Sequence, residues 1–226
     1  AQESARKSEI RSLIETLGGA KVQRFEAEVV RVALTTVIPP VVGAPAAAQA
    51  FQTVHHEVAM VLSPECTDKD VLNLEVVRVE VVPEVPLADL SLRRGPGEEG
   101  ALSGMARVLR EVRARVVAHS HRVSILEAAS QLYPTAWNPQ DVQVEVQLPE
   151  GVTVHLEAPL EWPRSGTHVS LQGLQGEEGG VGEDVCQRVL DKVAPKERQL
   201  ATGGLVPLLQ AVQVGIQEET HMQEGA

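Results

Sequence analysis

Apolar residues recur along this chain with the spacings of two kinds of element. Apolar positions three and four residues apart share one face of a helix, and this spacing predicts helices at about 4–17, 101–118, 123–132, 184–194 and 205–217. Alternating spacing predicts long antiparallel strands at about 22–38, 51–62 and 71–82, and a second antiparallel β region at 141–171. Because strands come in consecutive runs between helices, the predicted fold class is α+β rather than alternating βαβ.

Glycine-rich segments divide the chain. The segment 93–100 contains glycine, proline and glutamate and predicts a loop, so that a single α+β domain over 1–226 has 1–92 and 101–226 as its two candidate sub-regions. A second segment, 173–182, is also rich in glycine. A phosphate-binding loop needs a lysine and a hydroxyl after its last glycine, whereas Glu183 and Asp184 follow here. We therefore interpret 173–182 as an acidic loop.

The pentapeptide EVVRV occurs at 28–32 and again at 75–79. In each predicted strand the apolar residues occupy every second position. At the doubled valine they change from odd-numbered to even-numbered positions, or the reverse. Since strand side chains alternate between faces, this change predicts either a β-bulge or a strand covered from opposite sides at its two ends. Plain valine-rich composition is the alternative, and a tandem duplication is not supported, because the repeated GEEG tetrapeptide has a different spacing.

An uncharged segment connects the first two predicted strands. No Asp, Glu, Lys or Arg occurs from Val32 to His56, and the middle of this stretch is rich in proline and alanine. Exposed loops usually carry charge, and apolar exposed patches mark interaction sites. We therefore predict a projecting arm at about 38–50 that contacts other subunits, the alternative being a tip that folds back over its own core. The predicted contact residues are Pro39, Pro40, Val41, Val42 and Pro45.

Arginines recur every three residues on the helix predicted at 101–118. Arg107, Arg110 and Arg113 form this stripe, with Arg115 and Arg122 nearby. Such a stripe is suited to docking on an acidic surface of a neighbouring subunit or on phosphates. The alternative is a solvated helix face balanced by nearby glutamates. The candidate glutamates are Glu98, Glu99 and Glu111.

The composition and charge of the chain disfavour several classes of function. The formal charge of −11 argues against direct nucleic-acid binding, which depends on neutralising phosphates. Only five aromatic residues are present, which disfavours sites built on stacking. No apolar run is long enough to predict a membrane span. Ala1 at the start fits removal of either an initiator methionine or a signal peptide.

The candidate chemical groups are few. Histidines cluster at 55–56 and at 119–121, and in a strand His119 and His121 would share a face and could share a metal, with Glu57 or Cys66 as a further ligand. Adjacent His55 and His56 would face opposite sides of their strand. Cys66 and Cys186 allow at most one disulfide. No nucleophile motif occurs. We predict no cofactor, no metal and no enzymatic activity.

These observations give three functional hypotheses. The first is a non-enzymatic structural subunit of a symmetric homo-oligomeric assembly, such as a viral or phage capsid or tail component, located in the virion or the cytoplasm. In layout only, an N-terminal helix, a long hairpin and a long helix resemble tailed-phage capsid proteins. The second is a soluble binding domain for a protein or small ligand, with the periplasm as its alternative location. The third is a metal-dependent enzyme that uses the histidines.

Overall fold

A computed structural model describes residues 2–16, 20–26, 28–45, 50–63, 76–87, 90, 92, 101–138, 140–164, 166–177, 180–196 and 204–224. It confirms the α+β fold class, with two four-stranded antiparallel sheets and several helices. The chain divides into two compact units. The first contains Ala1–Val37 and Thr53–Val117, and the second contains Ile38–Gln52 and Ala118–Ala226. The glycine-rich loop predicted at 93–100 lies outside the described residues.

The first unit is built on a meander sheet. Helix α1 (Gln2–Thr16) precedes strands β1 (Ala20–Glu26), β2 (Val29–Ile38), β3 (Gln52–Leu62) and β4 (Val76–Val82), which are neighbours in chain order. Inward residues alternate with outward ones along β2, so one face of the sheet is apolar. Helices α1 and α2 (Ala101–Ser130) bury that face. Core side chains include Ile10, Ile14, Val30, Val32, Leu34, Val58, Met60, Met105, Leu109, Val112 and Val116.

The stretch predicted as one strand at 22–38 forms two strands. β1 and β2 pair as an antiparallel hairpin, with Glu26 opposite Val29 and Phe25 opposite Val30. The apolar residues change from odd-numbered to even-numbered positions at Val29 and Val30 because the chain reverses direction in a tight turn just before them. The positions before the turn and those after it therefore belong to two different strands. The register irregularity in this hairpin lies elsewhere, between Val22 and Arg24.

The second EVVRV copy does contain a bulge. Val76 pairs with Leu62 and Arg78 pairs with Val61, so Val77 is the extra residue in β4. Val76 is buried and Val77 is exposed, as expected where a bulge resets the alternation. Residues 71–75, which were predicted to belong to this strand, lie outside the described residues. The same pentapeptide thus starts a regular strand in β2 and carries a bulge in β4.

The helices predicted at 101–118 and 123–132 form one continuous helix. α2 runs for 30 residues from Ala101 to Ser130 and includes His119, Ser120 and His121. The histidines therefore lie in a helix rather than in a strand. Residues two positions apart on a helix point to nearly opposite sides, so His119 and His121 do not share a face.

The second unit repeats the meander arrangement. β5 (Thr135–Trp137), β6 (Gln143–Leu148), β7 (Val152–Glu157) and β8 (Ser170–Gly176) form its sheet in chain order. Helix α3 (Glu183–Val193), a 3-10 turn at Ala194–Lys196 and helix α4 (Leu205–Glu224) follow. Strand β8 includes Gly173 and Gly176, so the first four of the ten residues predicted as an acidic loop belong to a strand.

The core of the second unit is formed from the inward faces of β6 and β7 and from three helices. Val144, Val146 and Leu148 alternate with polar residues in β6, and the same alternation occurs in β7, so one face of this sheet is also apolar. The helix residues in this core include Ile125, Leu126, Val185, Val189, Leu205, Leu208, Leu209, Val212 and Ile216.

Candidate functional site

The uncharged segment between β2 and β3 is anchored in the core of the second unit. Val41 and Ala44 are each 4% exposed and belong to that core. Ala44 N–H donates to the Val41 carbonyl at 3.3 Å, which closes a short turn. Gly43 has a φ of +76° and approaches Val206 so closely that a Cβ would lie 3.0 Å from its Cγ1. The turn at 41–44 is therefore a fixed feature of the second unit rather than a free loop.

The predicted contact residues of the arm differ in how much of each is exposed to solvent. Val41 is buried, so it can contact another subunit only by leaving its own core. Val42 is 63% exposed, Pro39 is exposed, and Pro40 and Pro45 are half-buried. Residues 46–49 lie outside the described residues.

Phe51 is a second exposed apolar side chain at the end of the uncharged segment, and it was not among the predicted contact residues. It follows the arm, immediately before β3, and it is 72% exposed. A phenylalanine exposed to this extent has apolar area that burial would remove from water. We call Val42 and Phe51 together the arm surface. The sequence signal for it was present, because both residues lie in the charge-free stretch.

The predicted arginine stripe is not a uniform cationic surface. Arg110 is exposed, and its Nε donates to the Ala106 carbonyl at 3.2 Å. Arg107 and Arg113 are half-buried, and both already take part in polar or electrostatic interactions. Glu111 pairs with Arg115, four residues later, at 3.1 Å. The role of the stripe in subunit contact stays a prediction.

Arg122, which was predicted as part of the basic region, is fully buried at 0% exposure. Its Nη2 donates a hydrogen bond to the carbonyl of Asp141, two residues before β6 begins. Burial lowers the pKa of the Arg122 guanidinium, and the charge of Asp141 opposes this effect. The side chain thus fixes the entry into the second sheet from within α2.

The predicted histidine clusters lie in different elements, at 55–56 in β3 and at 119–121 in α2. His55 is exposed and His56 is 5% exposed, so these neighbours face opposite sides of β3, as predicted. Burial lowers the pKa of His56, and the adjacent His55 acts in the same direction. Among the described residues, no group of three or more His, Cys, Asp or Glu side chains could hold a metal ion. Cys66 lies outside that part of the chain.

Cys186 is a buried free thiol in α3. Burial raises its pKa, which disfavours the reactive thiolate.

An ion cluster is centred on Glu219 of α4. The side chain of Glu219 is only 6% exposed, and it accepts hydrogen bonds from Lys192 and, at 2.7 Å, from Arg188. These two donors hold the pKa of Glu219 below its usual value. This ion cluster joins α3 to α4.

The outer face of the first sheet carries interleaved charges of both signs. Arg31 in β2 donates to Glu57 in β3 at 2.6 Å, and this hydrogen bond raises the pKa of Arg31. Arg24 and Glu26 pair at 3.1 Å in β1, which is one edge of the sheet. Arg78 and Glu80 pair at 2.6 Å in β4, which is the other edge. The face is therefore nearly balanced in charge.

The outer face of the second sheet is polar and acidic. Its four strands contain no Lys or Arg, and outward positions carry glutamine and glutamate. His155 in β7 lies between Glu145, 3.5 Å from its Nδ1, and Gln175, 3.4 Å from its Nε2. Gly173 pairs with His155 in the register and leaves open space beside it. The strands of this sheet therefore present carboxylates and amides to solvent and contribute no Lys or Arg of their own.

The fold defines an α+β protein made of two units, each with an antiparallel meander sheet that helices cover on one face. No protein-family model, no curated protein and no solved structure matches the chain. Of the helices in the described ranges, none is both long and apolar enough to cross a bilayer.

Proposed function

We propose that this protein is a non-enzymatic structural subunit of a symmetric protein assembly, and that the arm surface makes contacts between subunits. The observation that carries the proposal is the combination of a fixed turn with exposed apolar side chains. Val41 and Ala44 anchor the segment, while Val42 and Phe51 remain in solvent.

Anchoring matters because association costs conformational entropy when a loop must become ordered. Here the turn at 41–44 is already held by its own core, so a partner need not order it. Full burial of a Val or Phe side chain stabilises by roughly 1.5–3 kcal/mol, which makes the two residues suitable contact points. The absence of Asp, Glu, Lys and Arg from 32 to 56 means that burial desolvates no charge there.

The chemically capable side chains described above support a non-enzymatic role. Arg122 fixes the chain before β6, Glu219 joins two helices, and Cys186 lies in the core with its thiolate disfavoured. Arg122 and Glu219 thus hold parts of the fold together, and Cys186 is a residue of its core. The type of assembly, including the capsid or tail alternatives, stays a prediction.

The test is solution mass. Sedimentation equilibrium of the full chain from 1 to 100 µM should show an oligomer, and the V42S/F51S variant should shift it to smaller species. The matched control is V214S/M222S, which changes two exposed apolar residues of α4. These substitutions are preferable to deleting the arm, since deletion would remove the buried Val41 and Ala44. A monomeric wild-type chain, or an oligomer that V42S/F51S leaves unchanged, would overturn the proposal.

The outer face of the second sheet favours a second candidate function, which is binding of a basic protein segment. Glu145 and Glu157 lie on this face with no Lys or Arg in the same strands. A lysine- and arginine-rich peptide should bind at low salt and lose affinity in E145Q/E157Q but not in E127Q/E161Q, which neutralises two exposed acids elsewhere. Equal affinity of the two variants in a calorimetric titration would reject this function.

A further inference from the structure

Strand β4 is an edge of the first sheet. It pairs with β3 on one side, and within the described ranges no strand pairs with its other side. Val77 is 49% exposed and Val82 is 66% exposed. An edge strand presents unpaired backbone N–H and C=O groups that can pair with another chain. β4 is therefore a candidate surface for strand addition.

The sequence of β4 is self-complementary about Val79. Its residues are Val76-Val77-Arg78-Val79-Glu80-Val81-Val82, so valines lie symmetrically about the centre, with an arginine on one side and a glutamate on the other. If two copies pair antiparallel with Val79 opposite Val79 of the partner subunit, Arg78 lies opposite Glu80 of the partner subunit. By two-fold symmetry, the reciprocal pair forms as well.

Neighbouring registers are worse. A shift by two residues places Arg78 opposite itself or Glu80 opposite itself across the two-fold axis, and like charges directly opposite each other are destabilising. A shift by one residue turns the inward valines of one copy to the charged face. Over residues 78–80 the register centred on Val79 therefore combines opposite charges with matching faces, whereas the bulge leaves inward Val76 opposite outward Val82 of the partner subunit.

The observed positions of Arg78 and Glu80 allow each side chain to exchange its partner in the same strand for a partner in a second copy. Arg78 and Glu80 form an ion pair within the strand at 2.6 Å, and their side chains are 70% and 51% exposed. They lie on the outer face, opposite Val61 and Ala59 in the register, and can reach across the edge. The bulge at Val77 lies near the start of the strand, so the pairing of residues 78–82 with β3 is regular.

We propose that β4 pairs with β4 of a second copy around a two-fold axis at Val79, joining two first sheets into one eight-stranded sheet. Charged residues on an edge strand usually prevent pairing. Here their order rejects most strands but complements an antiparallel copy of itself. This inference rests on the proposed self-association, but it uses a different surface from the arm.

The experiment uses full-length variants with reversed charges. R78E and E80R each place like charges opposite each other in the symmetric pair, and each should weaken self-association roughly tenfold. The double variant R78E/E80R restores complementarity and should recover wild-type mass. Above all, an equimolar mixture of R78E and E80R should form a heterodimer, because each chain supplies the charges that the other needs.

The mixture separates pairing between chains from the ion pair within the chain. Each single variant loses the internal pair, so recovery on mixing can come only from contacts between chains. R24E is the matched control, because Arg24 forms an ion pair with Glu26, two residues later, in β1 at the opposite edge of the sheet. The R24E variant should have the same mass in solution as the wild type. Sedimentation velocity with circular dichroism reports both mass and folding.

All proteins are measured with and without V42S/F51S, so that failure of the arm contact and failure of the β4 contact are distinguishable. Recovery in the mixture on the V42S/F51S background supports the β4 pairing even if the arm variant has no effect. Single variants that associate like wild type, or a mixture that stays as dissociated as its components, would overturn the β4 proposal and leave the arm proposal standing.

Discussion

Gly176, at the end of β8, lies very close to the backbone of the segment that leads into α3. A Cβ built on this residue would lie 2.0 Å from the carbonyl oxygen of Val181. That oxygen would have to move by about 1.4 Å, from 2.0 to 3.4 Å, to reach ordinary contact. The obstacle is backbone between β8 and α3, which cannot rotate away as a side chain can.

We expect G176A to destabilise the second unit by about 1–3 kcal/mol, because overpacking costs this much where the surroundings must shift. The gain from restricting the unfolded chain, roughly 0.4–1 kcal/mol, offsets only part of it. Gly173, in the same strand, provides the control. Its Cβ would meet nothing within 4 Å, so G173A should be neutral or stabilising by up to about 1 kcal/mol.

Urea unfolding monitored by tryptophan fluorescence measures this difference. Trp137 and Trp162 are the two tryptophans of the chain, and both belong to the second unit, so the signal reports that unit. With a slope of roughly 2 kcal/mol/M, a difference of about 2 kcal/mol separates the two midpoints by about 1 M. A midpoint for G176A equal to or above that of G173A would refute the reasoning from the close approach.

Two further predictions concern buried ionisable groups. E219Q should lower the fluorescence midpoint of the second unit more than E218Q, because Lys192 and Arg188 lose the carboxylate that they share; equal midpoints would show that the cluster does not stabilise the unit. For His56, burial lowers the folded-state pKa, so its contribution to stability is complete above the unfolded value of about 6.5 and decreases as the pH falls below it. The H56Q variant should therefore lose less stability than the wild type in its first unit between pH 7.5 and pH 5.5. Amide hydrogen exchange in that unit measures the loss. A pH dependence equal to that of the wild type would contradict this assignment.

The fold class could be predicted because apolar spacing is a local property of the chain. The hairpin at 20–38 was missed because its turn carries no glycine, proline or asparagine, so the change of parity at Val29 was the only signal. The continuity of α2 was missed because His119 to His121 are polar. Nothing in that stretch breaks a helix, and the preference of histidine and serine for other structures is weak.

The candidate surfaces were predictable only in part. The lack of charge located the arm, yet the burial of Val41 depends on the core of the second unit, which also contains Val206, more than a hundred residues away. Arg122 was grouped with the nearby arginine stripe, and its burial was not predicted, because a charged side chain is normally solvated. Its neighbours at helical spacing, Ala118 and Leu126, are buried, and that pattern was the available signal for burial.

The two EVVRV copies show why residue identity does not determine a role in contact. Arg31, from the first copy, lies on an interior strand, and Glu57 of the neighbouring strand is its cross-strand partner. Arg78, from the second copy, lies on an edge, where its ion-pair partner is Glu80 of the same strand. An interior arginine has cross-strand neighbours on both sides, whereas an edge arginine can gain one from another chain. The position of the strand in the sheet, rather than the pentapeptide, therefore makes Arg78 available for pairing between subunits.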